Sequence, residues 1–231
     1  MDLIWQGIID ALGLLWQRDP EILGILWLSL QISGTATFLS LLLGVPVGTA
    51  LALARFPGRR FFISLVNTGM GLPPVVVGLL VSIFLWRSGP FGALRLMYTP
   101  TAMVIAQCII ASPIITGITM ASMAQLDPKL RLQMLGLGAS RWQLLWVLLR
   151  EARLPMLAAV MAGFGGIISE VGAVIMVGGN IPGETRVLTT AIVLEVSKGN
   201  FDTALALGLI LLLLAYAVNL ALTLVQQRGR T

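Results

Sequence analysis

Apolar residues run through this chain in long blocks, and polar ones collect in the short stretches between them. Five blocks, near residues 22–55, 61–86, 100–123, 155–177 and 203–225, read as membrane-crossing helices. A helix needs about 20 predominantly apolar residues to cross a hydrocarbon core about 30 Å thick. The pattern predicts an all-α membrane protein with one transmembrane domain over 19–231 and a separate element at 1–18. In that element Asp2, Gln6, Asp10 and Gln17 recur at roughly helical spacing among apolar residues, with Trp5 and Trp16 as anchors. This is the pattern of an amphipathic helix lying in the membrane interface, with a core helix packed on the bundle as the alternative. It has neither a basic start nor a small-residue cleavage site, so it does not read as a cleaved signal peptide.

Punctuation within the blocks adds detail. Asp19-Pro20-Glu21 opens a helix, with Pro in the first turn and acid at the positive end of the dipole. The first block would span about 50 Å as a helix, so it must tilt, kink or project into water. Gly44-Val45-Pro46 is the expected kink. The second block is interrupted by Gly69, Gly71, Pro73 and Pro74. Such a break at membrane depth is tolerated where the freed backbone groups face protein or a watery cavity. Pro73 and Pro74 therefore read as pore-adjacent, with a plain kink as the alternative. The third block carries Gln107 and a second expected break at Ser112-Pro113. In the fourth, Ala159, Gly163, Gly166 and Ala173 form one small-residue line, and Gly165, Ser169 and Gly172 another. Small residues let helices approach closely in lipid, so this helix is expected at the centre of the bundle. Glu170 is the one acid deep in a block. Such a residue faces a cavity or a partner, or bonds a neighbouring helix. Residues 178–184 are turn-rich, and 187–196 read as a short, half-buried helix.

Composition narrows the function. The chain is 57% hydrophobic and 11% charged, against about a quarter charged in soluble domains. It contains no His, which excludes histidine catalysis and histidine metal sites. Cys108 is the single cysteine and sits in an apolar block, so it reads as a buried spectator without a disulfide partner in the chain. No phosphate loop of the form Gly-x-x-x-x-Gly-Lys-Ser/Thr occurs, and no carboxylate pair has an evident task. Transport or signalling fits better than chemistry, and neither a cofactor nor a metal site is expected on this chain. The net charge of +5 would suit nucleic acid, but the basic residues fall in short loops beside apolar blocks, where membrane topology explains them.

The most charged stretch is 126–154, between the third and fourth blocks. It carries Asp127, Lys129, Arg131, Arg141, Arg150, Glu151 and Arg153 around a turn at Gly136-Leu137-Gly138. Two short amphipathic helical patterns flank that turn. By composition it is either an ordinary cytoplasmic loop or a docking surface for a soluble partner. Placing it inside puts Arg55, Arg59, Arg60, Lys129, Arg131, Arg141, Arg150, Arg153, Arg228 and Arg230 on the inner side. Arg18, Arg87, Arg95, Arg186 and Lys198 then lie outside. This agrees with the positive-inside rule. The N-terminus is expected outside, the C-terminus in the cytoplasm, and the 187–196 helix at the outer mouth.

Gly138-Ala139-Ser140-Arg141-Trp142 resembles the core of the cytoplasmic coupling loop of ABC importer permeases. Leu132-Gln133-Met134 replaces that family's Glu-Ala-Ala, so contacts of the missing Glu do not carry over. The stretches Gly71-Leu72-Pro73-Pro74-Val75 and Ser88-Gly89-Pro90-Phe91-Gly92 are similar to permeases of molybdate and tungstate importers. Ile168-Ser169-Glu170-Val171-Gly172-Ala173 and Thr185-Arg186-Val187-Leu188-Thr189-Thr190 are most similar to the tungstate branch.

The resemblance implies a permease in the cell (inner) membrane that moves an oxyanion inward by alternating access, tungstate before molybdate, sulfate or phosphate. It implies a second copy of the permease, two ATP-binding subunits that hold ATP and Mg, and an extracytoplasmic anion-binding protein. Gly136, Gly138, Ala139, Ser140, Arg141 and Trp142 would then couple to the ATPase. Arg186, Thr189, Thr190 and the backbone N–H groups of Gly178, Gly179 and Asn180 would meet the anion at the outer mouth. Glu170 would repel a free anion and is assigned to gate or interface structure. The rival class, an ion-coupled secondary transporter, would be expected to show internal repeats, and none is evident.

Overall fold

Asp19 starts the first helix by accepting hydrogen bonds from the backbone N–H groups of Glu21 (2.8 Å) and Ile22 (3.3 Å), satisfying donors that a helix end leaves free. The computed structural model describes Gly13 and residues 19–228. Apart from Gly13, the amphipathic helix expected over 1–18 lies outside the described residues. Ten α-helices follow in order. The first five are α1 (Pro20–Leu53), α2 (Arg59–Met70), α3 (Pro74–Leu85), α4 (Pro100–Ala124) and α5 (Pro128–Gly136). Then come α6 (Arg141–Glu151), α7 (Arg153–Ile168), α8 (Gly172–Gly178), α9 (Leu188–Lys198) and α10 (Phe201–Arg228).

Three of these, α1, α4 and α10, are long and apolar enough to cross a membrane unbroken. The second and fourth expected spans are instead bent pairs: α2 and α3 meet at 102°, and α7 and α8 at 59°. The chain therefore has up to five crossings if each bent pair counts as one. The sharper corner follows from covalent chemistry. Pro73 and Pro74 carry no backbone N–H, so the helix cannot continue through them, and Pro74 takes the first position of a new one. At the shallower corner, Ser169 Oγ donates to the carbonyl of Gly165 at 2.9 Å. One turn on, Glu170 Oε1 accepts from the N–H of Ala173 at 3.1 Å. Side chains there take over bonds that the backbone ladder would make.

One other expectation is corrected. Ser112-Pro113 does not break its helix, because α4 runs through it from Pro100 to Ala124. The Pro113 ring seats against Gly69, where an added methyl would lie 2.8 Å from Pro113 Cβ and Cγ. A neighbouring helix thus supports the wedge. The fourth block shares the centre of the bundle with α4: α4 packs on α1, α2, α3, α7 and α8, while α7 and α8 between them pack on α1, α3, α4 and α10. Only one small-residue line of α7 reaches α4: Ala159 and Gly163 are buried, and a methyl on Gly163 would meet Ile115 at 2.9 Å. A methyl on Gly165 would meet nothing within 4 Å.

Close backbone approach sets the other contacts. Gly44 and Gly48 bring α1 onto α4, where added methyls would fall 2.8 Å from Ile115 Cγ2 and 2.5 Å from the Thr116 carbonyl oxygen. Gly78 of α3 meets Ala173 of α8, 2.6 Å from its Cα for an added methyl. The apolar core along these helices includes Ile32, Ala36, Val77, Met103, Ile115 and Val177. The polar positions of α1 divide between two faces: Ser33, Thr37 and Ser40 are buried, whereas Gln31 and Thr35 are exposed.

Candidate functional site

The charged stretch folds as a helical hairpin of α5 and α6, and local chemistry shapes its turn. The N–H of Gly138 donates to Leu135 O and that of Ala139 to Met134 O, each at 3.0 Å. This pair of bonds closes a helix with a residue in the left-handed region. Gly138 is that residue, at φ +77°, which a side chain rarely adopts. Gly136 ends α5 in open space and carries no such requirement. Ser140 then starts α6. Its Oγ accepts from the N–H of Gln143 at 3.3 Å, while Gln143 Oε1 accepts from the N–H of Ser140 at 2.8 Å. Two helix-end donors are satisfied reciprocally.

Apolar residues face outward on this hairpin. Leu137 is 82% exposed and Trp142 81%. Arg141 is exposed beside them, and Ala139 is half-buried in the turn. Trp146, also exposed, stands one turn beyond Trp142, on the same helix face. The Arg150 guanidinium lies 5.2 Å from the Trp146 ring centroid, within cation–π range. Met134, Leu137, Gly138, Trp142, Trp146 and Val147 line a shallow depression of about 640 Å³. Leu137 and Trp146 lie outside the motif residues yet share this exposed face, and their signal in the sequence is two large apolar side chains in a stretch otherwise dense in charge.

The outer-mouth candidates do not gather at one point: Thr189 meets Glu170 at the α7–α8 corner, Gly178 meets Thr185 at the end of α8, and Arg186 meets Glu21 of α1, and their polar groups are largely committed within the chain. Thr189 is buried and its hydroxyl donates to the Glu170 carbonyl at 3.0 Å. Thr190 is fully buried and its hydroxyl donates to the Val187 carbonyl at 3.0 Å. A hydroxyl has one proton to donate, so neither threonine has one left for an anion. The Gly179 N–H is likewise spent on Ile175 O at 2.9 Å, and the Gly178 carbonyl accepts from Thr185 Oγ1 at 2.6 Å. Of the expected N–H groups, that of Gly179 is thus already engaged.

Arg186 faces an acid rather than open solvent. Its Nη1 lies 3.3 Å from Glu21 Oε1 on the first turn of α1. Its Nε and the Oδ1 of Asn180 are buried without a hydrogen-bond partner among the described residues. Glu170, expected to contact a cavity or another helix through its acid, caps α8 of its own segment. Pro73 and Pro74 stand at the α2–α3 corner, and Val75 just beyond it touches Gly172, where an added methyl would lie 2.6 Å from Val75 Cγ2. The two bent pairs thus meet next to their corners. On α9, hydrogen bonds from Lys198 and then Asn200 hold the Glu195 carboxyl below its ordinary range, against the opposing effect of burial. Among the described residues no group of three or more His, Cys, Asp or Glu could hold a metal ion.

Residues 44–231 match the family described as binding-protein-dependent transport system inner membrane component. The chain belongs to this family. The permease is 41% identical over 196 residues to the "Probable anion ABC transporter permease protein" of Haloferax volcanii, covering 83% of this chain and 84% of that one. It is 37% identical over 227 residues to the tungstate uptake system permease protein TupB of Peptoclostridium acidaminophilum, covering 98% of this chain and 100% of that one. Its fold is that of the MetNI methionine ABC transporter in an inward-facing conformation, with a TM-score of 0.74, 19% identity and coverage of 94% and 97%. The permease is thus an ABC permease subunit, the non-catalytic transmembrane component, as the loop motif implied.

Proposed function

We propose that this permease forms half of the membrane pathway of an oxyanion importer, with tungstate as its cargo. It crosses the membrane five times, counting each bent pair once, with the N-terminus outside and the C-terminus in the cytoplasm. Two copies pair, two ATPase subunits dock beneath them with ATP and Mg, and an extracytoplasmic binding protein delivers the anion. The observation that carries this reading is the hairpin, whose most exposed apolar groups, Leu137 and Trp142, are bare in the isolated chain. An ordinary loop would hide such groups, and a docking surface exposes them. Arg141 adds a charge beside the Trp142 anchor, the combination that dominates interface energetics. ATP-driven closure of the ATPases would draw the two hairpins together and tip the helices packed on α4. The full-length similarity to a tungstate permease supports the choice of cargo.

At the outer mouth, the committed hydroxyls of Thr189 and Thr190 leave them a structural part. Glu170 and Thr189 hold the corner that changes shape, and the anion passes without a tight pocket on this chain. Elemental analysis of cells with and without the gene, grown with trace tungstate and molybdate, tests the reading. Loss of tungsten accumulation alone is the expected result. Loss of molybdenum as well widens the cargo to both anions. Unchanged levels of both, with reduced sulfate or phosphate uptake, would replace the cargo but keep the importer.

A further inference from the structure

Between the C-terminal end of α1 and the α5–α6 hairpin lies a second cavity, of about 1090 Å³. Val45, Pro46 and Leu53 form its wall on one side, and Leu135, Leu145 and Leu149 on the other. The charged residues lining it are Arg55, Arg131 and Arg141, and no carboxylate joins them. Thr49 also lines it; this residue is buried, and its hydroxyl has no hydrogen-bond partner among the described residues. Pro46 and Ala50 stand open at the edge of the cavity, continuous with the exposed Leu42, Leu43 and Val47 of α1.

These features ask for one occupant with two chemistries. A small soluble anion would satisfy the guanidinium groups and leave the leucine walls bare. A purely apolar guest would leave the charges without a counterion. The geometry points to a binding site for an anionic phospholipid of the inner leaflet. Its phosphate lies with Arg55 and Arg131, whose planar forks suit phosphate oxygens, while Arg141 at the rim stays with the coupling surface. Its acyl chains leave past Pro46 and Ala50 along the apolar face of α1. The inner-leaflet placement rests on the reading that the hairpin faces the cytoplasm, where anionic lipids and basic residues attract one another.

The site is joined to the coupling surface. Trp142 lines both this cavity and the outer depression of the hairpin, and Arg141 begins α6. A lipid in the cavity therefore braces, from the membrane side, the helix that presents Trp142 to the ATPase.

Native mass spectrometry of the permease–ATPase complex, prepared in mixed phosphatidylglycerol and phosphatidylcholine, tests this. Wild-type complex is expected to retain phosphatidylglycerol over phosphatidylcholine. Arg55→Gln with Arg131→Gln is expected to lower that retention about thirtyfold, from the loss of two phosphate-facing charges. Ala50→Trp, which fills the cavity edge and leaves every charge in place, is expected to do the same. Equal retention of the two lipids, or undiminished phosphatidylglycerol in either variant, overturns the inference. Displacement of the lipid by inorganic phosphate overturns it in favour of a soluble anion. Because the readout is lipid retention, a complex with normal tungstate uptake and no lipid preference defeats this site alone and leaves the importer reading standing.

Discussion

Thr189 donates a hydrogen bond from its hydroxyl to the main-chain carbonyl of Glu170, 3.0 Å away, and so ties the start of α9 to the corner between α7 and α8. The same corner is held from the other side by the Glu170 carboxylate, which accepts from Ala173 N–H at the head of α8. One residue thus anchors the bend through its side chain and its backbone together.

Replacing Thr189 with Val keeps the shape and removes the donor. The Glu170 carbonyl is then left without this partner, and a loss of about 1–2 kcal/mol is expected. Thr189→Ser retains the hydroxyl and should restore most of it. Thermal unfolding of the purified permease reads both. Equal melting of Thr189→Val and wild type would mean that other contacts hold the corner. Anion preference in uptake should not change in either variant, because the hydroxyl serves the fold.

Gly138 separates backbone strain from surface chemistry. A Cβ there meets nothing within 4 Å, so only its φ of +77° resists a side chain. Asn tolerates this region better than Ala, whose cost is about 1 kcal/mol. Gly138→Asn is therefore expected to import at near wild-type rates and Gly138→Ala somewhat more slowly. Gly138→Asp has the same backbone tolerance as Asn and adds a charge at the coupling surface; it should abolish uptake while inserting normally. Parallel failure of Asn and Asp would move the cause from charge to size.

Trp142→Ala should leave the isolated permease as stable as before, within about 0.5 kcal/mol, because the ring is bare in the chain. Its retention of the ATPase on co-purification should fall by about tenfold or more, as for a central interface anchor. A destabilised permease that still holds its ATPase would show that the ring packs within the membrane domain instead.

Gly78 is the contact point between α3 and α8, with an added methyl only 2.6 Å from Ala173 Cα. The obstacle is backbone and cannot swing aside, so Gly78→Val should cost about 1–3 kcal/mol. Gly165→Ala, with nothing nearby, is the matched control. Comparable melting temperatures for the two variants would show that α3 and α8 are free to separate.

The fold of the charged α5–α6 hairpin was largely legible in the sequence. Its chemistry is local: Asp127 and Ser140 cap helices by reaching their own backbone two or three residues on, and Gly138 supplies a turn that other residues resist. The outer mouth was not. Thr189, Thr190 and Gly179 read as anion contacts because their groups can donate hydrogen bonds. Whether they are free to do so depends on Glu170, Val187 and Ile175, and part of that set lies far along the chain. Ser29 makes the same point, accepting from the N–H of Leu188 at 2.9 Å across most of the chain.

By itself, the sequence determined that this is a helical membrane protein with a charged helical hairpin between two of its spans, because apolar run length, proline, glycine and capping residues act within a few residues of themselves. Only the tertiary structure decided which helices α4 packs against, that the break expected at Pro73-Pro74 is a corner of 102° and that the fourth block bends by 59°, and that the hydroxyls of Thr189 and Thr190 are already engaged. Those outcomes depend on which backbone surfaces can approach. Glycines such as Gly44, Gly78 and Gly163 permit such contacts without naming their partners. In a chain where apolar side chains look alike from any direction, only packing chooses among them.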